Sequence, residues 1–290
     1  SVAGSASMAV EHVNGGAANA GKSWSMGNQL TFTGGGELDN GMNVSLSFIL
    51  DEADAAPGPF DNHSLAIGMD GLGTLTFHGE GGSNAQAAMD GSAAGGIWDN
   101  FQATADEPKA AKGSDDMITY ALPSLMDGLA LNTSYTPGGA NFGGASSSIG
   151  YSATYTGVEG LTIAYGYGED NSTATEAEAT AWKVSYAYGP VTVTATDLDY
   201  DHATNTSDRS MESQAISYTV SDEISITYGV EEITDGSASS EKAEFDSISA
   251  SYTSGGMTLT VSSQEAKNHS YGTAATEDNE RWAISAAFAF

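Results

Sequence analysis

The sequence predicts an all-β fold: a sixteen-stranded antiparallel transmembrane β-barrel forming one domain over residues 1–290. Three observations carry this. In segment after segment apolar residues recur at every second position, so one strand face is rich in Leu, Ile, Val and Tyr and the other in Ser, Thr, Gly and Ala. No run of about 18 apolar residues could make a membrane helix. Turn signals divide the segments into alternating short and long connections. The small face is too slight and polar for a sandwich core, and it is nearly uncharged. The large face must therefore look out toward lipid rather than in toward a second sheet.

The elements follow in order. A connection rich in Gly and Ala near residues 14 to 22 ends the first strand, and the second ends in a short turn from Gly34 to Asn40. Val44, Leu46, Phe48 and Leu50 then share one face, with Asn43, Ser45 and Ser47 on the other. After a long connection at 52 to 60, Leu65, Ile67 and Met69 oppose Ser64, Ala66 and Gly68, and Asp70-Gly71-Leu72-Gly73 makes a tight turn. The longest connection, Gly81 to Gly113, comes next, followed by a short turn at Pro123 to Asp127 and a long one at 138 to 146. Gly157-Val158-Glu159-Gly160 turns the chain into Leu161, Ile163, Tyr165 and Tyr167, which oppose Thr162, Ala164 and Gly166. Long connections at 169 to 177, 202 to 209, 234 to 242 and 267 to 278 then alternate with short ones at Gly189-Pro190, Ser221-Asp222-Glu223 and Ser254-Gly255-Gly256. Ile224, Ile226, Tyr228 and Val230 alternate with Ser225, Thr227 and Gly229, and in the last strand Trp282, Ile284, Ala286, Phe288 and Phe290 alternate with Arg281 and small residues. Seven short turns and eight long loops make fifteen connections, hence sixteen strands, each roughly the 9 to 11 residues that cross a bilayer when tilted.

Composition excludes other classes. Against 38 acidic side chains stand only eight basic ones, a formal charge of −30, so no basic stripe for nucleic-acid phosphates exists. The absence of Cys removes disulfide frameworks and thiolate chemistry. His12, His63, His78, His202 and His269 are scattered and no G-x-S-x-G elbow or H-E-x-x-H helix occurs, so the chain is not expected to be an enzyme. No charged segment followed by an apolar one opens the chain, so any secretory signal is expected to have been removed. So large an acidic excess also suits a saline habitat, where ions screen loop repulsion.

The stretches Leu30 to Gly34, Gly41 to Val44, Leu65 to Phe77, Asp116 to Pro123 and Asp127-Gly128-Leu129, in this order, resemble the trimeric general porins of Gram-negative outer membranes, the alphaproteobacterial ones among them. Phe290, ending an aromatic alternating strand, is similar to the outer-membrane assembly signal of that family. The resemblance implies short periplasmic turns, long extracellular loops, an outer-membrane location, and a third loop, here residues 81–113, folded inward as the constriction. It also implies a homotrimer contacting outer-membrane lipid and lipopolysaccharide, with residues 51 to 63 as the latch onto a neighbour. The function implied is passive diffusion of small hydrophilic solutes and ions. The alternative is an abundant structural barrel that forms a surface lattice or anchors an envelope layer, through divalent cations.

Within the third loop, Ser83 to Gly91 reads as a short helix with a Ser or Asn cap and a Gly stop, and Ile97, Trp98 and Phe101 require an apolar seat that the inner wall would supply. In the family this loop faces a basic wall. Here residues 24 to 80 contain no Lys or Arg, and the expected inward positions are Gln29, Thr31, Ser45, Ser47, Thr74, Thr76 and His78. Of the basic residues, Lys183 and Arg281 alone are expected at inward strand positions. The eyelet is therefore expected to be negative, set by Glu80, Asp90, Asp99, Asp106 and Glu107, partly offset by Lys109 and Lys112, and cation-preferring. Other carboxylates, Asp51, Glu231, Glu232 and Asp235 among them, read as solvated groups of outer loops and strand tops. Asp197, Asp199 and Asp201 share one strand face and are a candidate rim site for calcium or magnesium, although His202 stands where an EF-hand needs Gly; no cofactor is required. Tyr135, Tyr155, Tyr165, Tyr186, Tyr188, Tyr218, Tyr228, Tyr252 and Trp282 fall on outward faces, as an interfacial belt requires.

Overall fold

The structure, a computed structural model, describes residues 1–15, 21–51, 62–86, 91–101, 115–138, 147–171, 176–204, 207–237, 241–273 and 278–290. Its strands are β1 (Val2–Gly15), β2 (Gly21–Glu37), β3 (Asn43–Asp51), β4 (Asn62–Met69), β5 (Gly73–Glu80), β6 (Met117–Ala121), β7 (Leu129–Thr136) and β8 (Ser148–Val158). They continue as β9 (Leu161–Asp170), β10 (Ala177–Tyr188), β11 (Val191–His202), β12 (Arg209–Thr219), β13 (Ile224–Asp235), β14 (Ala243–Ser254), β15 (Met257–Lys267) and β16 (Asn279–Ala289). Each strand pairs with its neighbours in sequence and β1 pairs with β16, so the antiparallel sheet closes into a sixteen-stranded barrel with no free edge. The strand count and the long and short connections are those the alternation predicts.

Packing divides the chain into two compact units. The first comprises Ser1–Ser5, Gly27–Asp90 and Lys109–Trp182, and the second Ala6–Met26, Gly91–Pro108 and Lys183–Phe290. In the first unit, register aligns small residues across the strands. Thr33 faces Ser47, Ser47 faces Ser64 and Ser64 faces His78, while Ser45, Ala66, Thr76, Thr119 and Ser134 form the next row. The opposite face carries Leu46, Leu65, Phe77 and Tyr135, all exposed, with Phe32 and Phe48 stacked at 4.9 Å. In the second unit, Thr192, Ser217, Thr227, Ser249 and Ser262 form a comparable row of hydroxyls, while Ile216, Tyr218, Tyr228, Ile248 and Val261 lie exposed on the other side. Water would not tolerate so continuous an apolar belt; lipid would.

The tight turns use residues suited to them. Gly71 and Gly73 (φ 67° and 93°) occupy the left-handed region between β4 and β5, and at Gly73 a Cβ would sit 2.2 Å from the Ala121 carbonyl oxygen.

The candidate constriction segment

The third loop is described in two parts, one in each unit. In the first unit, residues 81–86 lie on the small-residue face of β5–β8. The Ala85 N–H donates to Ser134 Oγ at 2.8 Å, and Asn84, Ala85 and Gln86 are all buried. Gly150 is the seat: a Cβ there would stand 2.7 Å from Ser134 Oγ and 3.2 Å from Asn84 Oδ1. Gly82 packs likewise on His78 and Met117, and His78 Nε2 is 3.1 Å from Thr119 Oγ1. His78 is thus inward, as expected. Glu80 stands 4.0 Å from His63 Nδ1 with both side chains about half exposed. The expected helix does not form across Ser83–Gln86, which are extended or in a turn, and residues 87–90 lie outside the described residues. The Ser or Asn cap and Gly stop are equally good turn residues, and here the Ala85 N–H is drawn to Ser134 on the wall instead of to a helix of its own.

In the second unit, residues 91–101 cross β12–β14 and end in a 3₁₀ turn, Ile97–Phe101, that packs against β13, β14 and β15. Ile97 and Phe101 are buried, and Phe101 meets Phe245 at a centroid distance of 6.1 Å, so the wall supplies the seat these side chains required. The most consequential contact is one the alternation allowed but did not reveal. Glu231 is only 2% exposed and accepts hydrogen bonds from Ser92 Oγ, from Gly96 N at 2.9 Å and from Trp98 N at 3.1 Å. The reading of Glu231 as a solvated loop carboxylate is corrected: it points inward from mid-strand, beneath the loop. Its burial is tolerable because both carboxylate oxygens receive donors. The signal for it was parity, since Gly229, Glu231 and Ile233 share the small face of β13. Next to it, Ala94 N donates to Ser213 Oγ at 3.0 Å, and Gly229 leaves room for Ala94, whose Cβ would lie 2.6 Å from a Cβ at 229. Lys183, inward on β10, donates to the Gly91 carbonyl at 3.1 Å. Asp99, in the first turn of the 3₁₀ segment, is exposed.

Arg281 is inward but is not a free positive charge. Its Nη2 and Nε contact Glu11 Oε2 at 2.5 and 2.9 Å, its Nη1 donates to Gln264 Oε1 at 2.7 Å, and Ser23 Oγ donates to Glu11 Oε1 at 2.6 Å. Arg209, assigned from sequence to a loop, instead opens β12 on its inward side, across the ladder from Asp235. Inward basic strand positions are therefore three rather than two. Asp90, Asp106, Glu107, Lys109 and Lys112, and the latch residues 52–61, lie outside the described residues.

Asp197, Asp199 and Asp201 share the outward face of β11, opposite the buried Thr196 and Leu198. Alternate residues on a strand stand roughly 7 Å apart, so Asp197 and Asp201 are roughly 14 Å apart along the backbone of β11. Among the described residues no group of three or more His, Asp or Glu is placed to hold a metal. The register instead extends the charge sideways: Asp197 faces Glu212, Glu212 faces Glu232, Glu232 faces Glu244, and Glu244 faces Lys267. Lys242, in the loop before β14, pairs with Glu232, and that hydrogen bond holds its ammonium above the usual lysine range. The belt aromatics Tyr135, Tyr186, Tyr188, Tyr218, Tyr228, Tyr252 and Trp282 are outward and exposed, and Tyr165 packs on Trp182 at 4.4 Å. Phe290 follows β16 and is 75% exposed.

A family model described as Gram-negative porin matches residues 1–290. Solved structures of the same fold include an anion-selective porin from Comamonas acidovorans, at 14% identity and a TM-score of 0.72, covering 100% of this chain and 99% of that one. They also include a triple mutant of the Rhodopseudomonas blastica porin, at 15% identity and 0.71, covering 100% and 99%. A third is OmpT of Vibrio cholerae lacking its loop L8, at 13% identity and 0.70, covering 100% and 98%. A comparison of this chain with curated proteins found no match.

Proposed function

Since the chain belongs to the Gram-negative porin family and is an outer-membrane barrel, we propose that its channel passes small hydrophilic solutes and ions by passive diffusion, with a preference for cations. One observation carries the preference. The strands of the first unit from β3 to β9 contain no Lys or Arg, and their inward face is mostly Ser, Thr, Asn, Ala and Gly, with His78, Met117 and Asp170 among them. In the second unit Arg281 is neutralised by Glu11 and Arg209 stands across the ladder from Asp235, which leaves Lys183, bonded to the Gly91 carbonyl, as a positive charge that the acids must outweigh. Acids such as the half-exposed Glu80 and the exposed Asp99 then set the sign of the local potential, which concentrates cations and repels anions. The fold itself does not set that sign, because the Comamonas barrel with the same architecture is, by its name, anion-selective. Reversal potentials across a salt gradient test the proposal; cation-selective values support it, and anion-selective values reject it.

Assembly as a homotrimer is part of the proposal. It is supported by family habit and by the exposed apolar face of β3–β5, where Leu46, Leu65 and Phe77 present a continuous surface. Light scattering in mild detergent is expected to give three times the 29.6 kDa chain mass, and a monomer mass would remove the trimer. No catalytic step is proposed.

A further inference from the structure

We infer that Glu231 is the positioning residue of the constriction: a buried carboxylate on the wall that holds the segment Ser92–Trp98 in a single place and so fixes the conductance of the channel. The inference rests on the channel reading above and goes beyond it by naming what sets the geometry of the constriction segment.

Three donors from seven consecutive positions of the segment, Ser92 Oγ, Gly96 N and Trp98 N, converge on one side chain. Ser92 Oγ also accepts from Gly95 N at 2.9 Å and Gly96 N at 2.8 Å, so the hydroxyl that grips Glu231 closes the turn that aims the other two donors. Beyond this the segment has few alternatives. If the carboxylate were withdrawn, Trp98 N–H would lose its acceptor, while Gly96 N–H would keep only the Ser92 hydroxyl. The neighbouring seat is steric: Gly229 faces Ala94, and any side chain at 229 would push the segment off β13. Glu231 and Gly229 occupy the same strand face one pleat apart, which makes one strand both latch and seat. A glutamine at 231 keeps the volume and loses one acceptor, placing an N–H against the Trp98 N–H.

Single-channel recording of the full-length protein in planar bilayers provides the test, with folding of each variant checked by its heat-dependent shift on SDS gels. Glu231→Gln is expected to lose the single conductance level in favour of several, with more open-channel noise. Gly229→Ala, which leaves the carboxylate intact, is expected to do the same, and serves if Glu231→Gln does not fold. The chain has no Cys, so Ala94→Cys with Ser213→Cys can tether the segment to β12. In the Glu231→Gln background, the oxidised tether is expected to restore one level, and reductant to abolish it. That rescue separates positioning from a direct effect of the charge. Variants indistinguishable from the unmodified channel, or a tether that restores nothing, overturn the inference. An unmodified chain that conducts nothing would instead reject the channel reading itself.

Discussion

A channel carrying Thr33→Arg, Ser45→Arg and Thr76→Arg is expected to reverse its ion preference from cations to anions. All three positions lie on the small-residue face of β2, β3 and β5, where register places Thr33 beside Ser47 and Ser45 two strands from Thr76. The unmodified face carries neither Lys nor Arg there, so each substitution adds a full positive charge to a wall that has none of its own. Ser45 lies within about one Debye length, about 10 Å at about 0.1 M salt, of each of the other two positions, so the three charges reinforce one another. Pore-lining charge sets local ion concentration exponentially through the potential, so the reversal potential should change sign and not merely shrink. The effect should fade as salt rises. A triple variant that remains as cation-selective as its parent would mean that the face of the first unit does not border the conduction path.

Arg281→Ala is expected to lower the thermal stability of the folded barrel substantially. The guanidinium is 11% exposed, and its partner Glu11 31%. Together with Gln264 and Ser23 they tie β15, β16, β1 and β2 at the place where the first and last strands meet. Breaking a fully buried ion pair costs about 3–5 kcal/mol because the surviving charge is stranded. Glu11 is about a third exposed and keeps its bond to Ser23, so a cost of about 1–3 kcal/mol is the better expectation. It should appear as a lower temperature for the conversion from the folded to the unfolded band on SDS gels. Glu11→Gln combined with Arg281→Met, which removes both charges, should recover part of the loss. Arg281→Ala alone should also deepen the cation preference, since it frees a carboxylate on the inward side. An unchanged conversion temperature would show that the seam holds without this network.

How much of this was legible before the structure follows from which interactions are local. Alternation is local: the outward Leu46, Leu65 and Tyr228 and the inward Ser45, Thr76 and Ser217 could be assigned one strand at a time, and the turns at Gly71 and Gly255 announce themselves through residues that favour positive φ. The seat for Ile97 and Phe101 was legible as a requirement, because buried apolar side chains need partners, but not as an address. Glu231 was missed because parity says which face a side chain takes, and only tertiary structure says whether a loop covers it. Arg281 was placed inward correctly and misjudged electrostatically, since its partner lies 270 residues away in sequence. The carboxylates of β11 were placed on one face correctly, but the register that continues their charge into Glu212, Glu232 and Glu244 belongs to the pairing of strands and not to any one of them. The Ser83–Gly91 signal shows the limit of capping rules in a loop whose backbone donors are drawn by a neighbouring wall.

The central claim is that a barrel of this family with no basic wall prefers cations. The most direct measurement is the reversal potential of the unmodified protein in a planar bilayer separating two concentrations of potassium chloride, whose ions differ little in mobility. The expected potential has the sign set by potassium crossing faster than chloride and diminishes as both concentrations are raised. A potential of the opposite sign, persisting at low salt, would contradict it.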